Sequence, residues 1–371
     1  MSKNLQPSTN HLRNQSLQTT ALFKQAIPAI LLLGGLISTS VFAFDQAQIY
    51  TLKPNDQVVI LGDSTTADGV DVAGYVRLVD QAINEQIPGK NIAIRAAAAY
   101  GATLPSFPPG FGDFIKKATP TNPPTVAIIN LGINDSGAGE KGLPLYSDKM
   151  RAAVKQLREA KMTVILCTPT RWHADSTKIY AEAVRLVASE VKCPLIDLYA
   201  AHTDHIAKNA PNKGKPWELV PGTAPYRDVG HFTIVGEVLQ ARTILQAFGL
   251  KPDWLKFQIR VGTTRQGCAM RVGADNSAYG GGKIKLEPES PTKTPSVTNA
   301  GWSGNWPTEQ AAYAPGTKVT LTLIPDAGLT IHRWFAFEGP EIKETSDKLT
   351  ITMDRHMWIC AEVKPIEAKK P

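Results

Sequence analysis

Between residues 55 and 250 short β-rich runs alternate with amphipathic segments, and this alternation restricts the chain more than any other feature. VVILG, IAIRA, TVAIINLG, TVILCTPT and PLIDL are the runs, while YSDKMRAAVKQLREAK and STKIYAEAVRLVASEV carry apolar residues at helical spacing. Strands alternating with helices predict a parallel sheet covered by helices on both faces. From about residue 256 the texture changes. KFQIRV, GGGKIKLEP, GTKVTLTLIPDAG, IHRWFAFEG and KLTITMDRHMWICAEV alternate apolar and polar residues between turn signals, with no helical period. The pattern predicts an α/β domain over 44–253 and a smaller all-β domain over 254–371.

Residues 1–43 precede both. Lys3, Arg13 and Lys24 are their charged residues, and the run AIPAILLLGGLISTSVFAF carries no charge until Asp45. The small residues of SVFA suit a signal peptidase, so this segment reads as an export signal cleaved after Ala43. An uncleaved anchor is the rival, because about 19 uncharged residues can just span a bilayer. With cleavage, no stable membrane insertion is expected. The formal charge of +7 owes three of its basic residues to this leader. No basic stripe interleaved with aromatics remains, so nucleic acid is not an expected partner.

An exported chain meets an oxidising compartment, which gives its four cysteines weight. Cys167 and Cys193 lie on neighbouring strands entered from opposite ends, too far apart to bond. Cys268 and Cys360 fall near the first and last strands of the β region, where a disulfide is equally expected and not. No Cys-x-x-Cys pair occurs. His202 and His205 form one short His-x-x-His with no third ligand, and read as solvated loop histidines rather than a metal site.

The chemistry-bearing residues cluster just beyond strand ends. VVILG runs into Asp63-Ser64-Thr65-Thr66, IAIRA is followed by Gly101, and TVAIINLG by Gly132-Ile133-Asn134-Asp135. Asp228 and His231 stand ahead of the helix-like FTIVGEVLQARTIL, close enough for the carboxylate to hold the imidazole in one tautomer. Each has an ordinary reading as a cap or turn former. Together they supply a nucleophile, a base, an orienting carboxylate and oxyanion donors at one predicted sheet edge, the set that acyl transfer requires.

Gly62-Asp63-Ser64, Gly101, Gly132-x-Asn134-Asp135 and Asp228-x-x-His231 resemble, in order and spacing, the four blocks of the GDSL or SGNH hydrolases. The resemblance covers about residues 55–250. It implies a flavodoxin-like three-layer fold and ester hydrolysis through Ser64, with His231 as base and Asp228 orienting it. It also implies an oxyanion hole formed by the Ser64 and Gly101 amides and the Asn134 side chain, and requires neither cofactor nor metal. GDSTTADG, TPTRWH and DVGHFTIVG resemble the rhamnogalacturonan acetylesterase branch, implying an acylated carbohydrate as substrate. Arg171, Trp172 and His173 follow a strand end and either line the sugar site or pack. Two departures leave the triad intact: Ala96-Ala97-Ala98 stands where members commonly carry Asn-Ala-Gly, and Ile133 where that branch often has His.

YAPGTKVTLTLIPDAGLTIHRWF and LTITMDRHMWICAEV resemble divergent InlB-type B-repeats over about residues 256–365. That resemblance implies adhesion, spacing or stabilisation, including contact with a polymer or cell surface, and no catalytic residue. Trp302 and Trp306 there either stack on sugars or pack. The resulting expectation is an exported serine esterase removing acyl groups, above all acetyl, from carbohydrate. A lipid esterase or lysophospholipase and a non-catalytic surface-binding protein are the alternatives. Because every proposed catalytic residue lies between Ser64 and His231, residues 44–253 are expected to hydrolyse small esters alone.

Overall fold

A computed structural model describes residues 44–71, 73–106, 123–171, 176–210, 224–226, 231–266, 280–290 and 308–366. The expected parallel sheet is formed by β1 (Gln57–Gly62), β2 (Ala93–Ala98), β3 (Val126–Asn130), β4 (Thr163–Cys167) and β5 (Leu195–Ile196). Their order is β2-β1-β3-β4-β5, the flavodoxin-like arrangement whose ligand crevice opens where the order reverses, between β1 and β3. Register levels the strand ends there, since Gly62 pairs with both Ala98 and Asn130. Loops leaving β1, β2 and β3 therefore start side by side.

From Val58 to Leu61 strand β1 is continuously apolar because both of its faces are covered. Val58 and Ile60 join one core with α2 (Tyr75–Gln86) and α6 (Ile234–Ala247). Val59 and Leu61 join the other with α3 (Leu143–Glu159) and α4 (Lys178–Glu190). On α3 the buried Tyr146, Met150, Ala153, Val154 and Leu157 make one stripe at helical spacing. Helix α6 differs. Every one of its residues except Arg242 is buried, the mark of a helix enclosed on all sides.

What encloses it includes the β-rich part of the chain. Strands β6 (Phe257–Arg265), β8 (Thr308–Tyr313), β10 (Leu329–Glu338) and β12 (Met357–Pro365) form a four-stranded sheet ordered β10-β12-β6-β8. Strands β7 (Gly282–Glu287), β9 (Lys318–Pro325) and β11 (Lys348–Thr352) form a second sheet. Most pairs are antiparallel, as the turn-punctuated sequence implies, but β12 pairs parallel with β6. Ile259, Leu321, Ile351, Ile359 and Ala361 share the core of this part. By period-two alternation, Trp358 and Cys360 point the other way, into the core that holds α2 and α6. Both parts accordingly fall within one compact unit, Val41–Pro371.

Cys360 is a free thiol, pushed up to about 12 by burial, and Cys268 lies outside the described residues. One expectation is corrected. His202 and His205 are not solvated loop residues but buried side chains of α5 (Leu198–Asn209), which packs against α6. Cys167 and Cys193 are free, as their strand positions required. Among the described residues no helix is long and apolar enough to cross a membrane. The expected export signal over 1–43, together with Trp302 and Trp306, falls outside them.

Candidate active site

At the end of β1 the chain turns into the short helix α1 (Ser64–Asp68). Asp63 caps it, its Oδ1 accepting from the Thr65 amide at 3.0 Å and from the Thr65 hydroxyl at 2.8 Å. The cap reading and the nucleophile reading are thus compatible. Asp63 makes the cap, while Ser64 becomes the first helical residue and stays half-buried between buried neighbours. Its amide occupies a position with no intrahelical acceptor. Gly62 is required by space, because a Cβ there would lie 1.9 Å from Thr66 Oγ1. Beneath the turn, Thr66 Oγ1 lies 2.8 Å from the Tyr75 hydroxyl, to which Asn130 Nδ2 donates at 3.1 Å.

The second and third loops meet above the sheet. Gly101 has φ +71 with open space around it, so backbone conformation rather than crowding calls for glycine. Asn134 Nδ2 donates to the Ala102 carbonyl at 3.0 Å, which sets the amide beside Gly101. Asp135 Oδ1 accepts from the Leu104 amide at 2.9 Å. Burial pushes the Asp135 carboxyl up to about 6, with the charge of Asp63 adding to the rise.

His231 is half-buried on the segment that enters α6. Burial raises the Asp63 carboxyl to about 6, and His231 is close enough to act against that rise. Asp63, next to Ser64, thus interacts electrostatically with both His231 and Asp135, and Asn134 is tied to the loop that carries Gly101, whereas Asp228 lies outside the described residues. The His231 segment is held firmly. The Thr233 amide donates to the Pro225 carbonyl at 3.1 Å, and Phe232 forms a β-bridge with Tyr226. Phe232, Tyr226 and His202 pack ring to ring, with centroids 5.4–5.7 Å apart.

Residues 60–220 match the GDSL-like Lipase/Acylhydrolase family. This segment is therefore GDSL-like in sequence. Residues 295–365 match the Divergent InlB B-repeat domain. No curated protein matches the chain. Among solved structures, it is similar to an acetyl xylan esterase at 23% identity, covering 52% of this chain and 98% of that one with a TM-score of 0.44. An acetylxylan esterase from Geobacillus stearothermophilus is similar at 19% identity, covering 55% and 98%, TM-score 0.45. A putative GDSL-like lipase from Parabacteroides merdae is similar at 17% identity, covering 55% and 100%, TM-score 0.45.

Tyr226 and Asn130 support the site although neither stood out in the sequence. The Tyr226 hydroxyl donates to the Arg171 carbonyl and lies 2.8 Å from His202 Nδ1. Nδ1 then carries the proton and donates to the hydroxyl oxygen. Burial pushes the His202 ring down to about 3, so it stays neutral. Arg171 thus contributes a backbone anchor behind the His231 segment, while Trp172 and His173 lie outside the described residues. Asn130 had a faint signal, a polar residue closing the apolar run TVAIIN.

The buried Asp63 carboxyl makes a pH prediction. Its folded pKa, about 6, lies above the ordinary value near 3.9, so its contribution to stability is full below about pH 4 and is lost as pH rises through 6. Asp63→Asn keeps an acceptor for the Thr65 amide but cannot ionise. Its melting temperature relative to wild type is expected to climb between pH 4 and 7, measured by thermal unfolding across that range. A flat difference would show that Asp63 does not titrate there.

Proposed function

We propose that the chain is an exported serine esterase that removes O-acyl groups, above all O-acetyl, from carbohydrate, through Ser64, His231 and Asp228. The reading rests on one observation above others: the Asp63 carboxyl, one residue from Ser64, is within electrostatic reach of both His231 and Asp135. That reach supports a convergence of loops separated by up to about 170 residues of sequence at the crevice position of a doubly wound sheet.

In this reading Ser64 Oγ attacks the ester carbonyl carbon as His231 takes its proton, and the carbonyl electron pair moves onto oxygen. The Ser64 and Gly101 amides and Asn134 Nδ2 receive that oxyanion, each donor contributing about a hundred- to a thousandfold in rate. Collapse returns the proton from His231 to the departing sugar hydroxyl and leaves an acyl-serine. Water, deprotonated by His231, then releases the carboxylate and restores Ser64. Asp228 would hold the imidazole.

Tyr100, next to Gly101, supports a sugar substrate over a lipid. It is 46% exposed, and its hydroxyl donates to Asp68 at the end of the α1 turn that begins with Ser64. An aromatic face with a fixed polar tip suits a sugar ring better than an acyl chain. Residues 1–43 would direct export and 254–371 would meet a polymer or cell surface. Acetylated polysaccharide, short-chain nitrophenyl esters and long-chain esters, assayed side by side, test the reading. Turnover of the first two and not the third is expected. Preference for long chains would favour a lipid esterase, and no turnover of any would favour a binding protein.

A further inference from the structure

We propose that Glu338, contributed by the β-rich part of the chain, is a positioning residue for His231 of the α/β part. The inference rests on the reading of His231 as base. Glu338 ends β10, and its Oε2 accepts from the Ile234 amide at 2.8 Å. Ile234 is the first residue of α6, three positions after His231. The opening amides of a helix have no intrahelical partner. Thr233 satisfies the Gly236 amide at 3.2 Å, and Glu338 satisfies that of Ile234.

The charge suits the place, because a carboxylate is stabilised at the positive end of a helix. A matching contact stands beside it. Glu237, in the first turn of α6, accepts at 2.9 Å from the amide of Tyr75, the first residue of α2. Asp68, Asp71, Phe232, Glu237, Arg260 and Glu338 line one cleft, in which Arg260 of β6 lies 3.9 Å from Asp71 and over the Trp358 ring. The wall behind the His231 segment is therefore assembled from both parts of the chain. From the β-rich side of this cleft, Glu338 reaches the backbone of α6 directly.

Thr233 and Phe232 hold the segment to Ala224, Pro225 and Tyr226, within the same domain. Glu338 fixes it against a separate sheet, so without it the start of α6 can shift as a unit with His231. Misplacement of a catalytic group by about 1 Å lowers turnover by up to about a hundredfold while substrate affinity changes little.

The test uses the full chain and a short-chain acetyl ester. Glu338→Ala is expected to lower kcat about ten- to a hundredfold with KM within about twofold. Glu338→Gln, which keeps an acceptor, is expected to restore kcat to within about threefold of wild type. Hydrogen exchange at the Ile234 amide, read independently of activity, should quicken in the Ala variant and not in the Gln variant. Wild-type kcat in Glu338→Ala, or equal losses in both variants, overturns the proposal. His231→Ala is assayed in parallel. If it is inactive while Glu338→Ala is normal, only this inference fails, whereas full activity of His231→Ala removes the histidine assignment and this inference with it.

Discussion

Ser64→Ala is expected to reduce ester turnover by at least about 10⁴-fold while leaving the melting temperature within a few degrees of wild type. The stability half of that expectation comes from position. Ser64 is a half-buried first residue of a short helix, and the cap belongs to Asp63, so removal of the hydroxyl opens no core cavity. The activity half comes from the unity of nucleophile and base. His231→Ala should fall almost as far, and adding it to Ser64→Ala should cost little more, because either loss already disables the pair. Asp228→Asn should keep a measurable residue of activity, since the orienting carboxylate is the least indispensable member. Steady-state rates on a short-chain nitrophenyl ester, with melting curves alongside, check all three variants. Wild-type-like hydrolysis by Ser64→Ala sinks the assignment, and full activity in His231→Ala identifies the wrong base.

The layout of this site was readable because its residues follow apolar runs whose period is visible in the sequence. VVILG and TVAIIN mark strand ends, and the Gly, Asp, Ser and Asn beyond them break the pattern where loops must begin. What brings those loops together is strand order, which local periodicity does not carry. The pairing of Gly62 with both Ala98 and Asn130 appears only in the folded sheet. His202 was misread for a related reason. Its burial depends on Tyr226 and Phe232, partners far along the chain, and AHTDH taken alone is polar. Strand β12 carried a signal that alternation obscured. MWICA is continuously apolar inside a region otherwise read as half-exposed, and an uninterrupted run marks a strand covered on both faces. Ile359 and Ala361 fill the β core, and Trp358 and Cys360 fill that of the neighbouring α/β part.

That second face changes what removal of the β-rich part should do. The sequence suggested that residues 44–253 would hydrolyse small esters near the full rate, because all proposed catalytic residues lie within them. In the folded chain, truncation takes Trp358 and Cys360 out of the core they share with α2 and α6, along with the partly buried Phe335 and Phe337 packed on it. Each large apolar side chain buried there contributes about 1.5–3 kcal/mol, and their loss would leave an apolar face on two helices. Polar losses add to this. The Ala73 amide loses Gln310 Oε1 at 2.9 Å, Asp71 loses Arg260, and the Ile234 amide loses Glu338. A chain of residues 44–253 is therefore expected to aggregate, or to melt at least about 10 °C below the full-length protein. Its activity should fall together on a small soluble ester and on an acetylated polymer. A module that served only to tether the enzyme would behave differently, since losing effective concentration harms the polymer reaction and spares the small ester. Melting curves and both assays on the truncated protein decide the matter. A soluble fragment with unchanged melting temperature and full activity on the small ester would show that the shared core is dispensable. Equal losses with a lowered melting point would mean that this β module is part of the catalytic fold.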